Sequence, residues 1–190
     1  MPGRNPHGAR EAFQVPLRAA AACLTKSQWV CSPIKGQPVG ELHTLALNGG
    51  EPVLLNGIGI RLQFEASIKF TVVKQEKDKF GQPVGSSDRY KVSTRGYMYT
   101  VMTHEGAELI AYHWHPGGSS DVDFPHEHIG TAALNPDVPL TRKDHLRTGR
   151  ISFESVVFNL FQLGITPLNL NYPEILDMNQ VAFDKWKTWG

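Results

Sequence analysis

A strict alternation of apolar and polar residues over positions 60–72 constrains the fold of this chain more than any other feature. Apolar side chains stand at every even-numbered position from Ile60 to Val72, and polar or charged ones at every odd-numbered position between them. Because successive side chains on a β-strand point to opposite faces, this pattern predicts a long antiparallel strand with one face buried. The even-numbered residues are therefore expected in the core.

Two further strands are predicted downstream. Residues 90–103 carry alternating tyrosines, and residues 108–115 follow a candidate hairpin turn at residues 104–106. Together with residues 60–72 they are expected to form a three-stranded meander.

An amphipathic helix is predicted to begin after Ser152, whose hydroxyl is a suitable N-cap, and to end near Gly164. Apolar residues recur there at helical spacing, at positions Phe153, Val156, Val157, Leu160 and Phe161. Weaker helices are expected at residues 9–24, interrupted at Pro16, and at residues 174–187. The sequence thus predicts an α+β fold, a twisted antiparallel sheet of about four or five strands with one main helix packed on one face.

The length of 190 residues suits one domain. Residues 1–8 combine two prolines and two glycines without an apolar pattern, so we expect a disordered arm there and a single α+β domain over residues 9–190.

Charge and cysteine content set limits on partners and compartment. The 19 Lys and Arg residues nearly balance the 18 Asp and Glu residues, so no global field favours nucleic acid or an anionic membrane. Cys23 and Cys31 are the only cysteines, too few for a disulfide scaffold, which favours reduced thiols. No apolar run is long enough to cross a bilayer. We therefore expect a cytoplasmic protein without a membrane partner.

Four of the eight histidines form two His-x-His pairs on either side of a glycine-rich turn. Within each pair the imidazoles share one face of a strand, and the turn predicts that the two strands form an antiparallel hairpin. In one of the two registers, all four imidazoles then lie on the same face. The four candidate site residues are His113, His115, His126 and His128.

Three interpretations of this cluster remain open from the sequence. Two to four imidazoles could bind a divalent metal such as zinc, with Asp121, Asp123 or Glu127 as additional ligands. Alternatively, one imidazole could accept a proton and another donate one, as metal-free phosphodiester cleavage requires. In the third interpretation the histidines only stabilise a tight hairpin through hydrogen bonds.

Four segments resemble an uncharacterised family of small bacterial proteins. They are a tyrosine strand at residues 91–99, His-Trp-His-Pro at 113–116, Pro-His-Glu-His at 125–128 and Thr-Gly-Arg-Ile-Ser at 148–152. More distantly, the Pro-His-x-His-x-Gly motif between a tyrosine strand and a helix is similar to the TumE-like toxins of bacterial toxin–antitoxin pairs. The first resemblance implies no activity, and the second is a fold-level analogy.

The leading functional hypothesis is a histidine-cluster protein that binds a divalent metal or acts as an acid/base phosphodiesterase. The toxin resemblance suggests RNA as a substrate, a toxin-like ribonuclease activity and an antitoxin-like partner protein. Arg95, His145 and Arg150 are candidate phosphate contacts. The alternative is a non-enzymatic protein-interaction module with a structural histidine hairpin, which would present the aromatic residues Tyr97, Tyr99, Tyr112 and Trp114.

Overall fold

The computed structural model describes residues 2–32, 39–78, 80–117, 122–134, 139–141 and 143–186. The strands in these ranges are β1 (Pro2–Gly3), β2 (Trp29–Cys31), β3 (Leu42–Leu47), β4 (Val53–Asn56), β5 (Arg61–Lys74), β6 (Tyr90–Thr103), β7 (Glu108–Trp114), β8 (His126–Ile129) and β9 (Leu146–Arg147). The helices are α1 (Pro6–Leu24), α2 (Phe153–Gln162) and α3 (Tyr172–Trp186).

All nine described strands belong to one antiparallel sheet. Its order is β2-β3-β5-β6-β7-β8-β9, and β1 and β4 pair with β6 and β5 respectively. The expected α+β class is confirmed, but the expected number of four or five strands is wrong. Five of the strands have only two to four residues, and segments this short are difficult to recognise from alternation.

The long strand predicted from the alternation is β5. Its even-numbered side chains from position 62 to position 72 are at most 3% exposed, namely Leu62, Phe64, Ala66, Ile68, Phe70 and Val72. The burial expected for this face is therefore confirmed from Leu62 to Val72, whereas Ile60, just before the strand, is only partly buried.

Aromatic contacts place the first two helices on this buried face. The ring of Phe13 on α1 lies 5.3 Å from that of Phe70. The ring of Phe153 on α2 lies 6.3 Å from Phe64 and 5.9 Å from Tyr99. The odd-numbered face of β5 is thus on the side of the sheet away from these contacts.

The predicted start and end of α2 agree with the structure. The Ser152 hydroxyl accepts a hydrogen bond from the Ser155 backbone N–H at 3.1 Å, as an N-cap does. After the helix, Gly164 has a φ of 98°, which favours glycine.

The N-terminal region differs from the expectation. The sequence predicts a disordered arm over residues 1–8, yet Pro2–Gly3 pairs with β6 and α1 begins at Pro6, capped by the Asn5 side chain. The helix also continues through Pro16 instead of dividing there. Burial of Leu17, among other residues on both sides of the proline, gives packing energy that offsets the lost backbone hydrogen bond.

In the described ranges, the helices are too short or too polar to cross a membrane.

Candidate metal centre

The two His-x-His segments form the expected antiparallel pair. β7 and β8 are hydrogen-bonded neighbours in which His113 lies opposite His126, and Ala111 lies opposite His128. Residues opposite one another in an antiparallel pair point to the same face. The register therefore places His113, His126 and His128 on one face, as predicted.

That face is the polar side of the sheet. Ser67 of β5 pairs with Met98 of β6, Met98 pairs with His113, and His113 pairs with His126. The histidines consequently share a side with the odd-numbered residues of β5, opposite the aromatic contacts of α1 and α2.

The aromatic set expected on a partner-binding surface lies in the core. These four side chains are at most 8% exposed, namely Tyr97, Tyr99, Tyr112 and Trp114. Burial of these rings means that they do not form the exposed aromatic surface expected for an interaction module, whereas the exposed sheet edge also expected for such a module stays a prediction.

Three imidazoles converge closely. One ring nitrogen each of His113, His126 and His128 can be chosen so that all three atoms lie within 4.8 Å of one another. A tetrahedral zinc ion bound at about 2.0 to 2.1 Å holds its nitrogen ligands roughly 3.3 Å apart. Side-chain rotations that shorten the nitrogen–nitrogen distances by about 1.5 Å would bring the three ligands to the spacing that zinc requires. These three histidines could therefore hold a metal ion.

His126 has the orientation typical of a metal ligand. Its Nδ1 lies 2.8 Å from the Phe124 carbonyl oxygen, which can only accept, so Nδ1 carries the proton and donates it. Its Nε2 is then unprotonated, and this buried atom has no hydrogen-bond partner among the described residues. Metal-bound histidines commonly donate the second ring N–H to a backbone carbonyl in this way.

His113 has a second buried imidazole nitrogen of this kind. Its Nε2 also lacks a hydrogen-bond partner within the described part of the chain. Leaving a buried polar atom unpaired costs about 1 to 3 kcal/mol, and coordination of an ion would recover this cost. The purely structural interpretation, in which the histidines stabilise the hairpin through hydrogen bonds, gives neither Nε2 atom a partner among the described residues.

Two more histidines flank the three. The ring centre of His115 lies 5.4 Å from that of His126 and 6.1 Å from that of His113. The ring centre of His145, immediately before β9, lies 4.4 Å from that of His128 and 4.8 Å from that of His126. His145 is exposed, whereas His126 is fully buried. The cluster thus extends from a fully buried histidine, His126, to a solvent-exposed one, His145.

The pKa values of the buried imidazoles favour their neutral forms. The pKa of His113 is lowered to about 4, first by burial and then by the neighbouring rings of His128 and His126. Burial also lowers the pKa of His126, although its hydrogen bond to Phe124 opposes the shift. Neutral imidazoles are the form that binds metal, so protons compete little for His113 at neutral pH.

The three residues predicted to contact phosphate lie in three different parts of the structure. His145 joins the imidazole cluster, but Arg95 donates from Nε to the Thr71 hydroxyl at 3.1 Å. The Arg150 guanidinium carbon lies 3.3 Å from the ring centre of Trp114, on the other side of the sheet from His113. Arg150 is therefore not placed at the histidine face.

Arg147 lies beside the cluster and was not predicted. It pairs with His126 across β8 and β9, and its guanidinium carbon lies 4.9 Å from the Phe124 ring centre. The available signal was its position two residues after His145, since side chains at positions i and i+2 of a strand share one face.

The two proposed carboxylate ligands that the structure describes, Asp123 and Glu127, do not join the three histidines. Glu127 lies opposite Tyr112, so it points away from the imidazoles. Asp123 is exposed, and its backbone carbonyl accepts a hydrogen bond from the Trp114 indole at 3.1 Å. Asp121 lies outside the described residues. Among the described residues, the group that could hold a metal therefore consists of three imidazoles.

Comparisons of the chain with protein-family models, curated proteins and solved structures found no significant match.

Proposed function

We propose that this protein binds a divalent transition-metal ion, zinc in the first instance, through His113, His126 and His128. The observation that carries the proposal is the hydrogen bond of His126 to Phe124, which leaves an unpartnered, buried Nε2 among the described residues. One ring nitrogen from each of the three histidines lies within 4.8 Å of the other two, and the three residues belong to the paired strands β7 and β8. Three imidazoles suit zinc, copper, nickel or cobalt better than magnesium or calcium, which prefer oxygen ligands.

The three ligands found among the described residues favour an open centre over a closed structural site. Structural zinc sites usually have four protein ligands, whereas catalytic sites have three and leave one position for water or substrate. When bound in this way, zinc supplies Lewis acidity and lowers the pKa of a coordinated water. The exposed His145 can exchange protons with solvent, and Arg147 can pair with an anionic substrate. We infer a hydrolytic activity on a phosphodiester, with RNA as the substrate.

Metal-free acid/base cleavage is the second candidate. It is favoured by the contrast between His113, which burial keeps neutral, and His145, which is exposed to solvent 4.4 Å from His128. In this case the imidazoles alone would transfer the protons.

Metal content and RNA cleavage measured on the same preparation separate these functions. Untagged protein, purified without chelator, should contain close to one equivalent of zinc or a related ion. His128→Ala and the double variant His113→Ala with His126→Ala should lose it while circular dichroism remains unchanged. His104→Ala, an exposed histidine in the β6–β7 turn, is the matched control and should retain the ion.

Cleavage of a single-stranded RNA then distinguishes the candidates. Loss of cleavage after chelation and recovery with zinc support the metal enzyme. Cleavage by metal-free protein with a bell-shaped pH profile instead supports the imidazole pair. Protein that holds no ion even after exposure to zinc contradicts the main proposal.

A further inference from the structure

The face of the sheet that carries the histidines also carries exposed cations on both sides of them. Arg147 of β9 lies opposite His126 of β8, and Lys69 belongs to the odd-numbered face of β5. Arg95 of β6 lies on the same face, because its Nε donates to the hydroxyl of Thr71, another odd-numbered residue of β5. All three cationic side chains are exposed. We call Lys69, Arg95 and Arg147 the basic strip.

The sheet order places the histidines inside the basic strip. Neighbouring strands run β5-β6-β7-β8-β9, so two of the cations precede the histidine strands and one follows them. Four strand spacings of about 4.8 Å put Lys69 roughly 19 Å from Arg147 across the sheet. Gly96, which lies opposite Lys69 and close to the His115 backbone, adds no side chain to this path. A ligand that contacts both ends of the strip therefore passes over the imidazoles.

The charge of the basic strip is not balanced by carboxylates in the part of the chain that the structure describes. The one ion pair found there joins Arg18 to Glu11 on α1. Glu65 shares the face of Lys69 on β5, but it lies four residues away, about 13 Å along the strand. Glu108 pairs with Met102, farther along the sheet in the same direction. Although the net charge of the chain is only +1, this face concentrates positive charge beside the histidines.

A chain of regularly spaced anionic groups fits the basic strip better than a small anion does. The cations are spread over three strands, so a single phosphate cannot contact all of them. A stacked nucleic-acid strand has one phosphate per 3.4 Å, so about six nucleotides cover the 19 Å between its ends.

The surroundings of Arg147 favour a nucleic acid over an acidic polypeptide. Its guanidinium carbon lies 4.9 Å from the Phe124 ring centre, which holds the guanidinium against an aromatic ring. Bases of single-stranded RNA stack on the planes of guanidinium groups, whereas the side chains of aspartate and glutamate have no such surface. The neighbouring imidazoles also suit the chemistry of a phosphodiester.

We propose that the basic strip holds the backbone of a single-stranded RNA across strands β5 to β9, with one phosphodiester over the three candidate metal ligands. This inference rests on the proposed function, because it takes RNA as the substrate of the histidine site, and it adds the path of the strand. Lys69 and Arg95 bind phosphates on one side of the scissile bond, and Arg147 binds one on the other side. Such contacts position the strand without reading its sequence.

Binding of a strand that lacks free 2′-hydroxyls tests this path separately from cleavage. The probe is a fluorescein-labelled 2′-O-methyl RNA of about twelve nucleotides, longer than the strip requires. Fluorescence anisotropy measures its affinity at several salt concentrations, first with chelator present and then with zinc-loaded protein. Three phosphate contacts to a single strand predict a slope of about −2 for the logarithm of the binding constant against the logarithm of salt concentration.

Single charge removals identify the contacts. Lys69→Gln, Arg95→Gln and Arg147→Gln should each weaken binding about threefold and make the salt slope shallower by about 0.7. Lys26→Gln is the matched control, an exposed lysine after the end of α1, the helix that packs on the other side of the sheet. It should change neither the affinity nor the slope.

The outcomes separate the basic strip from the metal centre. Binding that none of the three strip variants weakens, or that Lys26→Gln weakens equally, would overturn the proposed path. Tighter binding of polyglutamate of similar length would also overturn it, by making the partner an acidic polypeptide. Protein that takes up zinc but does not bind the RNA contradicts the basic strip alone. Strip-dependent RNA binding by protein that takes up no zinc supports the strip and contradicts the metal centre alone.

Discussion

Phe153 is the side chain whose removal should destabilise the fold most clearly. It is 1% exposed, and its ring lies within 4.9 to 6.3 Å of the ring centres of Trp29, Tyr99 and Phe64. Burial of a phenylalanine removes about 150 to 250 Å² from water, worth about 4 to 6 kcal/mol at 25 cal/mol per Å². Denatured chains already bury part of this area, which reduces the figure to about 3 to 5 kcal/mol.

Phe153→Ala should lower the free energy of unfolding by about 4 to 5 kcal/mol, the upper part of this range. The well-packed surroundings of three rings cannot easily collapse into the space left behind, so a cavity term adds to the lost transfer energy. Phe158→Ala is the control on the same helix. That ring is 44% exposed, and its removal should cost under about 1 kcal/mol.

Urea unfolding followed by tryptophan fluorescence measures both changes, since Trp29 contacts Phe153 directly. The slope of the unfolding free energy against urea should remain constant between variants, so that a shift of the midpoint reports stability alone. A loss below about 1.5 kcal/mol for Phe153→Ala, or one equal to that of Phe158→Ala, would refute the placement of α2 against the sheet.

Three further changes test other parts of the structure. Gly130→Ala should misalign the end of β8 and weaken metal binding, because a Cβ would collide with the Glu108 carbonyl, and zinc titration measures the effect. Glu154→Gln should become more stable than the wild type as pH rises through the raised folded-state pKa, since only the wild type must bury a carboxylate. At pH below about 4.5 their denaturation midpoints should converge. Phe161→Ala, at 8% exposure and 4.4 Å from the Tyr172 ring, should cost about 3 kcal/mol in urea unfolding.

The elements predicted correctly from the sequence carry long local signals. β5 shows an unbroken alternation, because one of its faces is buried along most of its length. α2 combines an N-cap, an apolar stripe and a glycine end. The common face of His113 and His126 follows from the alternation of each strand, once the two strands pair in register.

The features that were missed depend on tertiary packing. β9 has two residues, too few for an alternation to predict the pairing with β8 that places Arg147 beside His126. A register shift in the β5–β6 pairing next to Arg95 likewise has no periodic signature. Arg150 stacks on Trp114 because the chain before α2 returns across the other face of the sheet. The positions of Arg95, Arg147 and Arg150 therefore depend on the three-dimensional path of the chain and not on a local sequence pattern.

The coordination of a bound ion is the most direct test of the proposed metal centre. Zinc-loaded protein examined by X-ray absorption and by anomalous diffraction should have three imidazole nitrogens at about 2.0 to 2.1 Å, from His113, His126 and His128, and at least one oxygen ligand from solvent. His126 should coordinate through Nε2 while Nδ1 still donates to Phe124. Zinc bound at another place, or protein that binds no zinc at equimolar concentration, would contradict the account.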